Sequence, residues 1–171
     1  MDPVQQTLMN RAFATPSLRQ NILNRGMIYI YCDYSGHQDR KEGGVAYCFV
    51  HNRAIYVTAK KIDFEDPGDS VYGELQAILY SLEALEEAFR MHRPKGTIVF
   101  TDYSRIAKLF MASRLSNSRY EEMRNQITAA IEKLKNRFAD IEITITYISK
   151  HKKNNALHQL AHNAARKVIG K

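Results

Sequence analysis

In residues 27–50, apolar and polar side chains alternate as in a β-strand on both sides of a polar turn. This segment constrains the fold more than any other part of the sequence. Residues 39–44, Asp-Arg-Lys-Glu-Gly-Gly, supply the turn, so the segment is predicted to form a β-hairpin. Side chains alternate along a strand, so Asp33 is expected on the face opposite Cys32. Because Asp is a poor strand former, Asp33 is expected either at a sheet edge or at a chemically active position.

Length and composition indicate a single globular domain. The chain has 171 residues, of which 44% are hydrophobic and 25% are charged, and both fractions are ordinary for a domain with a sizeable core. The sequence has no apolar run of about 18 residues, so no membrane span is predicted. Residues 1–20 lack the apolar centre of a signal peptide. A cytoplasmic location is therefore expected, and a monomer is favoured.

The net charge is +7, from 25 Lys and Arg against 18 Asp and Glu, and it allows two interpretations. The first is an ordinary basic protein. The second is a protein with a polyanionic partner, because Lys and Arg on a binding face gain affinity for nucleic acid by releasing its counterions. The charge alone does not decide between the two.

Two cysteines, Cys32 and Cys48, lie on the two arms of the predicted hairpin, nearly symmetric about its turn. In these positions the two thiols can face each other. In a reducing cytosol, two free and buried thiols are the expected state. The sequence contains neither a Cys-x-x-Cys motif nor a zinc-binding pattern of the usual spacing.

Residues 1–26 are predicted to form an N-terminal arm, and residues 27–171 a single domain. After the hairpin, hydrophobic periodicity predicts a strand at 53–63, a helix from an N-cap at Ser70 to about 89, a strand at 96–102, helices near 104–113 and 120–138, a strand at 141–147 and a helix near 154–168. This β-β-β-α-β-α-α-β-α order predicts an α/β fold, a five-stranded mixed sheet with helices on both faces. The apolar residues that can dock the arm on this domain are Leu8, Phe13, Leu18, Ile22 and Leu23.

Three acidic residues stand out by their placement on these elements. Asp33 lies on the first strand, Asp102 ends the fourth, and Glu74 is placed in the first turn of the helix between them. At about 100° per residue, Glu74 lies about 60° from the middle of the apolar stripe of its helix, on the border that faces the sheet. If the first and fourth strands are neighbours, as is common for a crossover connection, the three carboxylates converge.

Convergence of carboxylates requires a compensating positive charge. Two like charges about 4 Å apart repel by about 4 kcal/mol at an effective dielectric constant near 20. Oxygen ligands of this kind suit Mg²⁺ or Mn²⁺. Alternatively, each acid is separately structural: Glu74 at the positive end of its helix dipole, and Asp102 as the cap of the following helix.

Three short segments resemble the leading motifs of type 1 ribonuclease H: residues 32–36 (Cys-Asp-Tyr-Ser-Gly), 72–78 (Tyr-Gly-Glu-Leu-Gln-Ala-Ile) and 101–104 (Thr-Asp-Tyr-Ser). They occur in the same order on matching elements, and the resemblance extends over about residues 27–168. It implies a ribonuclease H-like fold and cleavage of the RNA strand of an RNA/DNA hybrid. It also implies a site of two Mg²⁺ or Mn²⁺ ions, with the metal-binding carboxylates Asp33, Glu74 and Asp102.

The last segment also resembles this family, with one substitution. His151 matches a His that assists product release or proton transfer in the family. His158 stands where the family has its fourth acid, between Asn154 and the Leu160-Ala161 pair. Neutral imidazole ligates divalent metals, and Mn²⁺ accepts nitrogen better than Mg²⁺, so His158 is predicted to be the fourth metal ligand and part of the catalytic set. The alternative is a solvated residue of a decayed site.

His162 lies one helical turn beyond His158, and such a pair resembles part of a zinc site. No Glu follows His158 directly, and no third ligand is evident nearby in the sequence. A pair of surface histidines is therefore the expectation.

Basic residues near His151 are predicted to form the nucleic-acid-binding face. The cluster consists of Lys150, Lys152, Lys153 and Asn154. A hybrid would be recognised by its shape, its 2′-hydroxyls and its phosphates rather than by base sequence. The resemblance further implies that Tyr34, Ser35 and Gly36 approach the 2′-hydroxyls. Four basic residues after Asp102 are either a phosphate track or solvated helix faces: Lys108, Arg114, Arg119 and Arg124.

Three other functions fit the sequence less well or remain open. A catalytically impaired module of the same fold that binds nucleic acid stays open, because His158 replaces an acid. A 3′–5′ exonuclease of the wider superfamily would carry an Asp-x-Glu pair on its first strand, whereas Asp33 is followed by Tyr34 and Ser35. A structural scaffold would explain neither the basic charge nor the clustered acids.

Overall fold

The computed structural model describes residues 2–63, 65–66, 68–149 and 152–171. The described strands are β1 (Met27–Gly36), β2 (Glu42–His51), β3 (Ala54–Asp63), β4 (Gly96–Thr101) and β5 (Glu142–Tyr147). The described helices are α1 (Pro3–Ala14), α2 (Pro16–Leu23), α3 (Ser70–Glu83), α4 (Leu85–His92), α5 (Ile106–Met111), α6 (Ser118–Arg137) and α7 (Ala156–Lys167), with a 3₁₀ turn at Lys152–Asn154. Each predicted strand is present, with its ends shifted by a few residues.

The five strands form one mixed sheet in the order β3-β2-β1-β4-β5. β1, β2 and β3 pair antiparallel, as a hairpin meander does, whereas β4 pairs parallel to both β1 and β5. The mixed five-stranded sheet predicted from the sequence is therefore confirmed. The last pair between β1 and β4 is Tyr31 with Phe100, so Asp33 and Asp102 both lie two residues beyond it, at one end of the sheet.

Helices cover both faces of the sheet, as predicted, because β1 alternates between two cores. Ile28, Ile30 and Cys32 contribute to a core formed with α3, α4 and α6. Tyr31 points to the opposite core, which is formed with α1, α2 and α7. Asp33 has the same parity as Tyr31, so its side chain lies on the α7 face, as strand alternation requires.

The two thiols, which the sequence allowed to face each other, do not do so. Cys32 pairs with Tyr47, and Cys48 pairs with Tyr31, so the two cysteines are one position out of register. A one-residue offset places two side chains on opposite faces of a sheet, and the two cysteines belong to different cores. Both thiols are free and buried, as expected.

The N-terminal helices pack on the face that carries α7. The Asp2 side chain accepts a hydrogen bond from the Val4 amide and begins α1. Of the residues predicted to dock this segment, three are buried in the α7-side core and two are substantially exposed: Leu8, Leu18 and Ile22 are buried, and Phe13 and Leu23 are exposed. The division of the chain at residue 26 stays a prediction.

The helix that carries Glu74 differs from its prediction in three ways. Its N-cap is Asp69, whose carboxylate accepts a hydrogen bond from the Tyr72 amide at 3.1 Å, and not Ser70. Glu74 is the fifth residue of α3 and therefore begins its second turn. The predicted single helix is divided at Ala84, where α3 ends and α4 follows.

Asp102 does not cap the following helix. That helix, α5, begins only at Ile106, and the residue at its N-cap position is Arg105. The Asp102 carboxylate is thus not the N-cap of α5. None of the helices in the described part of the chain has the length and hydropathy needed to cross a membrane.

Candidate active site

Two carboxylates and one imidazole converge where β1 and β4 end. Asp33, Asp102 and His158 each offer one ligand atom, and these three atoms lie within 4.8 Å of one another. Asp33 is 2% exposed, whereas the Asp102 side chain is 20% exposed. The register of the parallel strands brings the two acids together, and α7 brings His158 to them from a distant part of the sequence.

Glu74 approaches from α3 and is buried, with 8% of its surface exposed. Burial raises its pKa well above the ordinary value of 4.5, and the charges of Asp33 and Asp102 raise it further. Among the described residues, its Oε2 atom has no hydrogen-bond partner. A buried oxygen of this kind is unusual in a folded protein, and it is a ready ligand for a hard cation. The three predicted carboxylates therefore converge.

His158 is not the solvated residue of the alternative interpretation. It is 3% exposed, and the Asn155 side chain accepts a hydrogen bond from its backbone amide at 3.0 Å, which begins α7. Burial lowers the pKa of the imidazole below its usual 6.5, so the ring is neutral at neutral pH. Its Nδ1 atom is buried and has no hydrogen-bond partner within the described residues. A neutral imidazole with a vacant nitrogen can ligate a metal.

The expectation of a surface histidine pair is wrong, because His158 is buried and His162 contacts a carboxylate. The Nδ1 atom of His162 lies 2.7 Å from Oδ2 of Asp33, although 42% of its side chain is exposed. The rings of His158 and His162 are 6.4 Å apart, centroid to centroid. The sequence contained a signal for this contact, since residues four apart lie on the same face of a helix.

Lys152, which is predicted from the sequence to bind nucleic acid, contacts Asp102. Its Nζ atom donates a hydrogen bond to Oδ1 of Asp102 at 2.6 Å. Burial lowers the pKa of this lysine, but the hydrogen bond and the charge of Asp102 outweigh burial, and the pKa is raised. Lys152 is therefore protonated at neutral pH and compensates the charge of Asp102.

The converging side chains line a cleft of about 340 Å³. Its lining comprises Asp33, Tyr34, Asp102, Lys152, Lys153, His158, Gln159 and His162. A neighbouring cleft of about 480 Å³ contains Glu74, Tyr103, Arg105 and Tyr120 and shares Asp102 with the first. Asp102 thus lies at the boundary between an α7 side and an α3 side of the site.

The other predicted binding residues have varied surroundings. Lys153 and Asn154 are exposed in the 3₁₀ turn beside the cleft. Tyr34 and Ser35 are buried, and with Gly36 they belong to β1 rather than to a loop. The Tyr34 ring packs directly over the backbone of Gly73 in α3. Lys150 and His151 lie outside the described residues.

The four basic residues after Asp102 do not form one phosphate track. Arg124 is buried and donates hydrogen bonds to the carbonyls of Leu109, Ala112 and Ser113, so it closes the end of α5. Arg119 forms an ion pair with Asp69 at 3.7 Å.

No protein-family model matches the chain, and no curated protein sequence matches it. Solved structures do match. The chain is similar to RNase H1 from the halophilic archaeon Halobacterium salinarum NRC-1, at 15% identity and a TM-score of 0.56, over 83% of this chain and 99% of that one. It is similar to LC11-RNase H1 from compost, at 14% identity and a TM-score of 0.59, over 85% and 99%. It is also similar to LC11-RNase H1 in complex with an RNA/DNA hybrid, at 15% identity and a TM-score of 0.55, over 84% and 99%. The chain has a ribonuclease H-like fold.

Proposed function

We propose that the protein is a metal-dependent endonuclease that hydrolyses the RNA strand of RNA/DNA hybrids with two divalent ions, Mg²⁺ or Mn²⁺. The observation that carries this proposal is the convergence of ligand atoms from Asp33, Asp102 and His158 within 4.8 Å of one another, next to the buried carboxylate of Glu74. A similar protein has been solved in complex with an RNA/DNA hybrid, which supports the choice of substrate.

The residues present fit divalent cations. Asp33, Glu74 and Asp102 offer the carboxylate oxygens that Mg²⁺ and Mn²⁺ prefer, and Glu74 Oε2 and His158 Nδ1 are buried without hydrogen-bond partners in the described part of the chain. Two divalent ions bound here would activate a water molecule and stabilise the leaving oxygen of a phosphodiester.

The protein's own side chains would hold and orient the substrate. Lys152 and Lys153 lie at the rim of the cleft, where ammonium groups bind phosphates as point charges. Tyr34 lines the same cleft, and we propose that Tyr34, Ser35 and Gly36 at the end of β1 contact 2′-hydroxyls. Asn154, Lys150 and His151 are proposed to extend this surface, with His151 assisting proton transfer or product release.

A second candidate function is binding of nucleic acid without cleavage. Two basic side chains already contact the carboxylates: His162 contacts Asp33, and Lys152 contacts Asp102. If these contacts persist in the presence of divalent ions, the same cleft would bind phosphates but not the metals.

The deciding experiment is cleavage of an RNA/DNA hybrid labelled on its RNA strand, in Mg²⁺ and separately in Mn²⁺. Asp102→Asn is the test variant, and Asp140→Asn, at an exposed aspartate, is the matched control. RNA cleavage that Asp102→Asn loses and Asp140→Asn keeps would support the endonuclease. No cleavage in either metal, with hybrid binding intact, would overturn it and leave the binding module.

A further inference from the structure

Two imidazoles and one carboxylate line the α7 side of the cleft. His158 and His162 are one helical turn apart on α7 and both line the cleft with Asp33. A ligand atom of His158 lies within 4.8 Å of one on Asp33, and His162 Nδ1 lies 2.7 Å from Asp33 Oδ2. This part of the cleft therefore presents nitrogen as well as oxygen.

The buried nitrogen of His158 indicates that this grouping receives a ligand. His158 is 3% exposed, and its Nδ1 atom has no hydrogen-bond partner in the described residues. A polar atom buried without a partner is destabilising unless something else satisfies it. A metal ion would do so, and two histidines four residues apart on one helix face are a recurrent arrangement for binding a transition metal.

We propose that Asp33, His158 and His162 form a mixed nitrogen and oxygen site that binds Mn²⁺ in preference to Mg²⁺. The inference deepens the proposed function, because it concerns the same cleft. Mg²⁺ favours oxygen ligands and gives up water reluctantly. Imidazole suits transition metals, whereas carboxylate and water suit both Mg²⁺ and Mn²⁺.

The other side of the cleft has different chemistry. Glu74 on the α3 side and Asp102 at the boundary offer only oxygen, so one position of the proposed pair accepts Mg²⁺ or Mn²⁺ alike. His158 and His162 distinguish the two sides, and His162 is the more exposed of the two. Because 42% of its side chain is exposed, it can turn from its contact with Asp33 towards a metal without rearranging the core.

The experiment measures Mn²⁺ binding to the whole chain without nucleic acid. The electron paramagnetic resonance signal of free Mn²⁺ gives the affinity, and competition with Mg²⁺ gives the preference. Electron spin-echo modulation from ¹⁴N reports whether imidazole is bound to Mn²⁺, and ¹⁵N labelling of the histidines assigns the signal. The test variant is His162→Gln, and the matched control is His92→Gln, at an exposed histidine on α4.

The expected result is nitrogen modulation in the wild type and an Mn²⁺ affinity above the Mg²⁺ affinity. His162→Gln should weaken Mn²⁺ binding by about tenfold or more, leave Mg²⁺ binding nearly unchanged and reduce the modulation, whereas His92→Gln should match the wild type. Equal affinities for the two ions, absence of nitrogen modulation, or wild-type behaviour of His162→Gln would overturn the inference. The measurement on the wild type needs no variant, so absence of nitrogen modulation overturns the inference even if His162→Gln fails to fold.

The two proposals fail separately. Nitrogen-bound Mn²⁺ without cleavage of the hybrid would overturn the endonuclease and leave the mixed site. Cleavage in Mg²⁺ with no nitrogen modulation in Mn²⁺ would leave the endonuclease and overturn the mixed site.

Discussion

The two sides of the cleft differ in how their carboxylates are compensated. On the α7 side, Asp33 has His162 at 2.7 Å, and Asp102 has Lys152 at 2.6 Å. On the α3 side, Glu74 is buried, and its Oε2 atom has no partner among the described residues. The protein thus places a basic side chain beside two of its three acids and leaves one oxygen of the third without a partner in the described part of the chain.

Because of this difference, we expect one residue of the site to be needed for activity and yet to lower the stability of the folded protein. A buried carboxylate oxygen without a partner destabilises the folded state, because it loses its hydration without a replacement. Residues that a protein retains for a site commonly reduce its stability. Glu74 is expected to be such a residue, whereas Asp33 and Asp102 are each held by a basic side chain in the metal-free protein.

Replacement of Glu74 by Gln should have the largest effect, because it should lower activity and raise stability at the same time. Cleavage should fall by about a hundredfold to a thousandfold, as when one electrostatic stabiliser of a transition state is lost. At a pH above the raised folded-state pKa of Glu74, the free energy of unfolding of the metal-free protein should rise by about 1–3 kcal/mol, because a buried carboxylate with an unpartnered Oε2 atom is replaced by a neutral amide. Single-turnover cleavage and urea unfolding in EDTA measure the two effects.

Glu83→Gln is the matched control, since Glu83 lies on the same helix with its side chain 58% exposed. It should change stability by less than about 0.5 kcal/mol and leave cleavage intact. A loss of stability in Glu74→Gln would contradict the comparison, because it would mean that the Glu74 carboxylate is well compensated in the folded protein.

The pH dependence of stability should show the same conflict. The folded-state pKa of Glu74 is raised by burial and by Asp33 and Asp102, so the folded protein binds this proton more tightly than the unfolded chain does. The stabilising contribution of this proton to the free energy of unfolding is fully present below pH 4.5, the ordinary pKa of a Glu side chain. It is lost as the pH rises through the raised folded-state pKa. Urea unfolding in EDTA should show this loss in the wild type but not in Glu74→Gln. Equal pH profiles for the two proteins would contradict the expectation that Glu74 causes this loss of stability.

The contacts of α7 and of α3 with the sheet should also differ in how well they tolerate a larger residue in place of glycine. A Cβ atom at Gly44 would meet the backbone oxygen of Ala165 in α7, whereas one at Gly73 would meet the side-chain ring of Tyr34. Gly44→Ala should therefore destabilise the protein by about 1–3 kcal/mol and displace the helix that carries His158.

Gly73→Ala should be less costly, for two reasons. A side chain yields more easily than a helix backbone, and Ala favours a helix interior by about 1 kcal/mol over Gly. Urea midpoints of the two variants give the ranking. A greater loss in Gly73→Ala would show that the Tyr34 ring is held more rigidly than α7.

The fold and the positions of the acids were predictable from local patterns. Alternation along β1 gave the face of Asp33, and the parallel neighbours β1 and β4 brought Asp33 and Asp102 to one end of the sheet. The first follows from side-chain periodicity within a short segment, and the second from the rule for crossover connections between strands.

The basic partners of these acids were not predictable in the same way. His162 and Asp33 are separated by 129 positions, and the sequence shows which face of α7 carries His162 but not which strand lies below it. The expectation that Cys32 and Cys48 can face each other was wrong for a related reason. Symmetry about a turn does not determine strand register, and a slip of one residue reverses the face.

The smallest expected effect concerns Lys152 on the α7 side. If its contact with Asp102 competes with a divalent ion, Lys152→Met should strengthen metal binding by about two- to fivefold, since a partly exposed ion pair contributes about 0.2–1 kcal/mol. The side chains of Lys152 and Asp102 are 36% and 20% exposed, which fits this range. Calorimetric titration with Mn²⁺ measures the change.

Lys153→Met is the matched control, because Lys153 is exposed and lines the same cleft. Both variants should weaken hybrid binding and lower its dependence on salt by about one phosphate contact, but only Lys152→Met should strengthen binding of the ion. Weaker metal binding in Lys152→Met would reverse the interpretation. It would mean that Lys152 holds Asp102 in position for the metal, so that the basic groups on the α7 side prepare the site instead of competing for it.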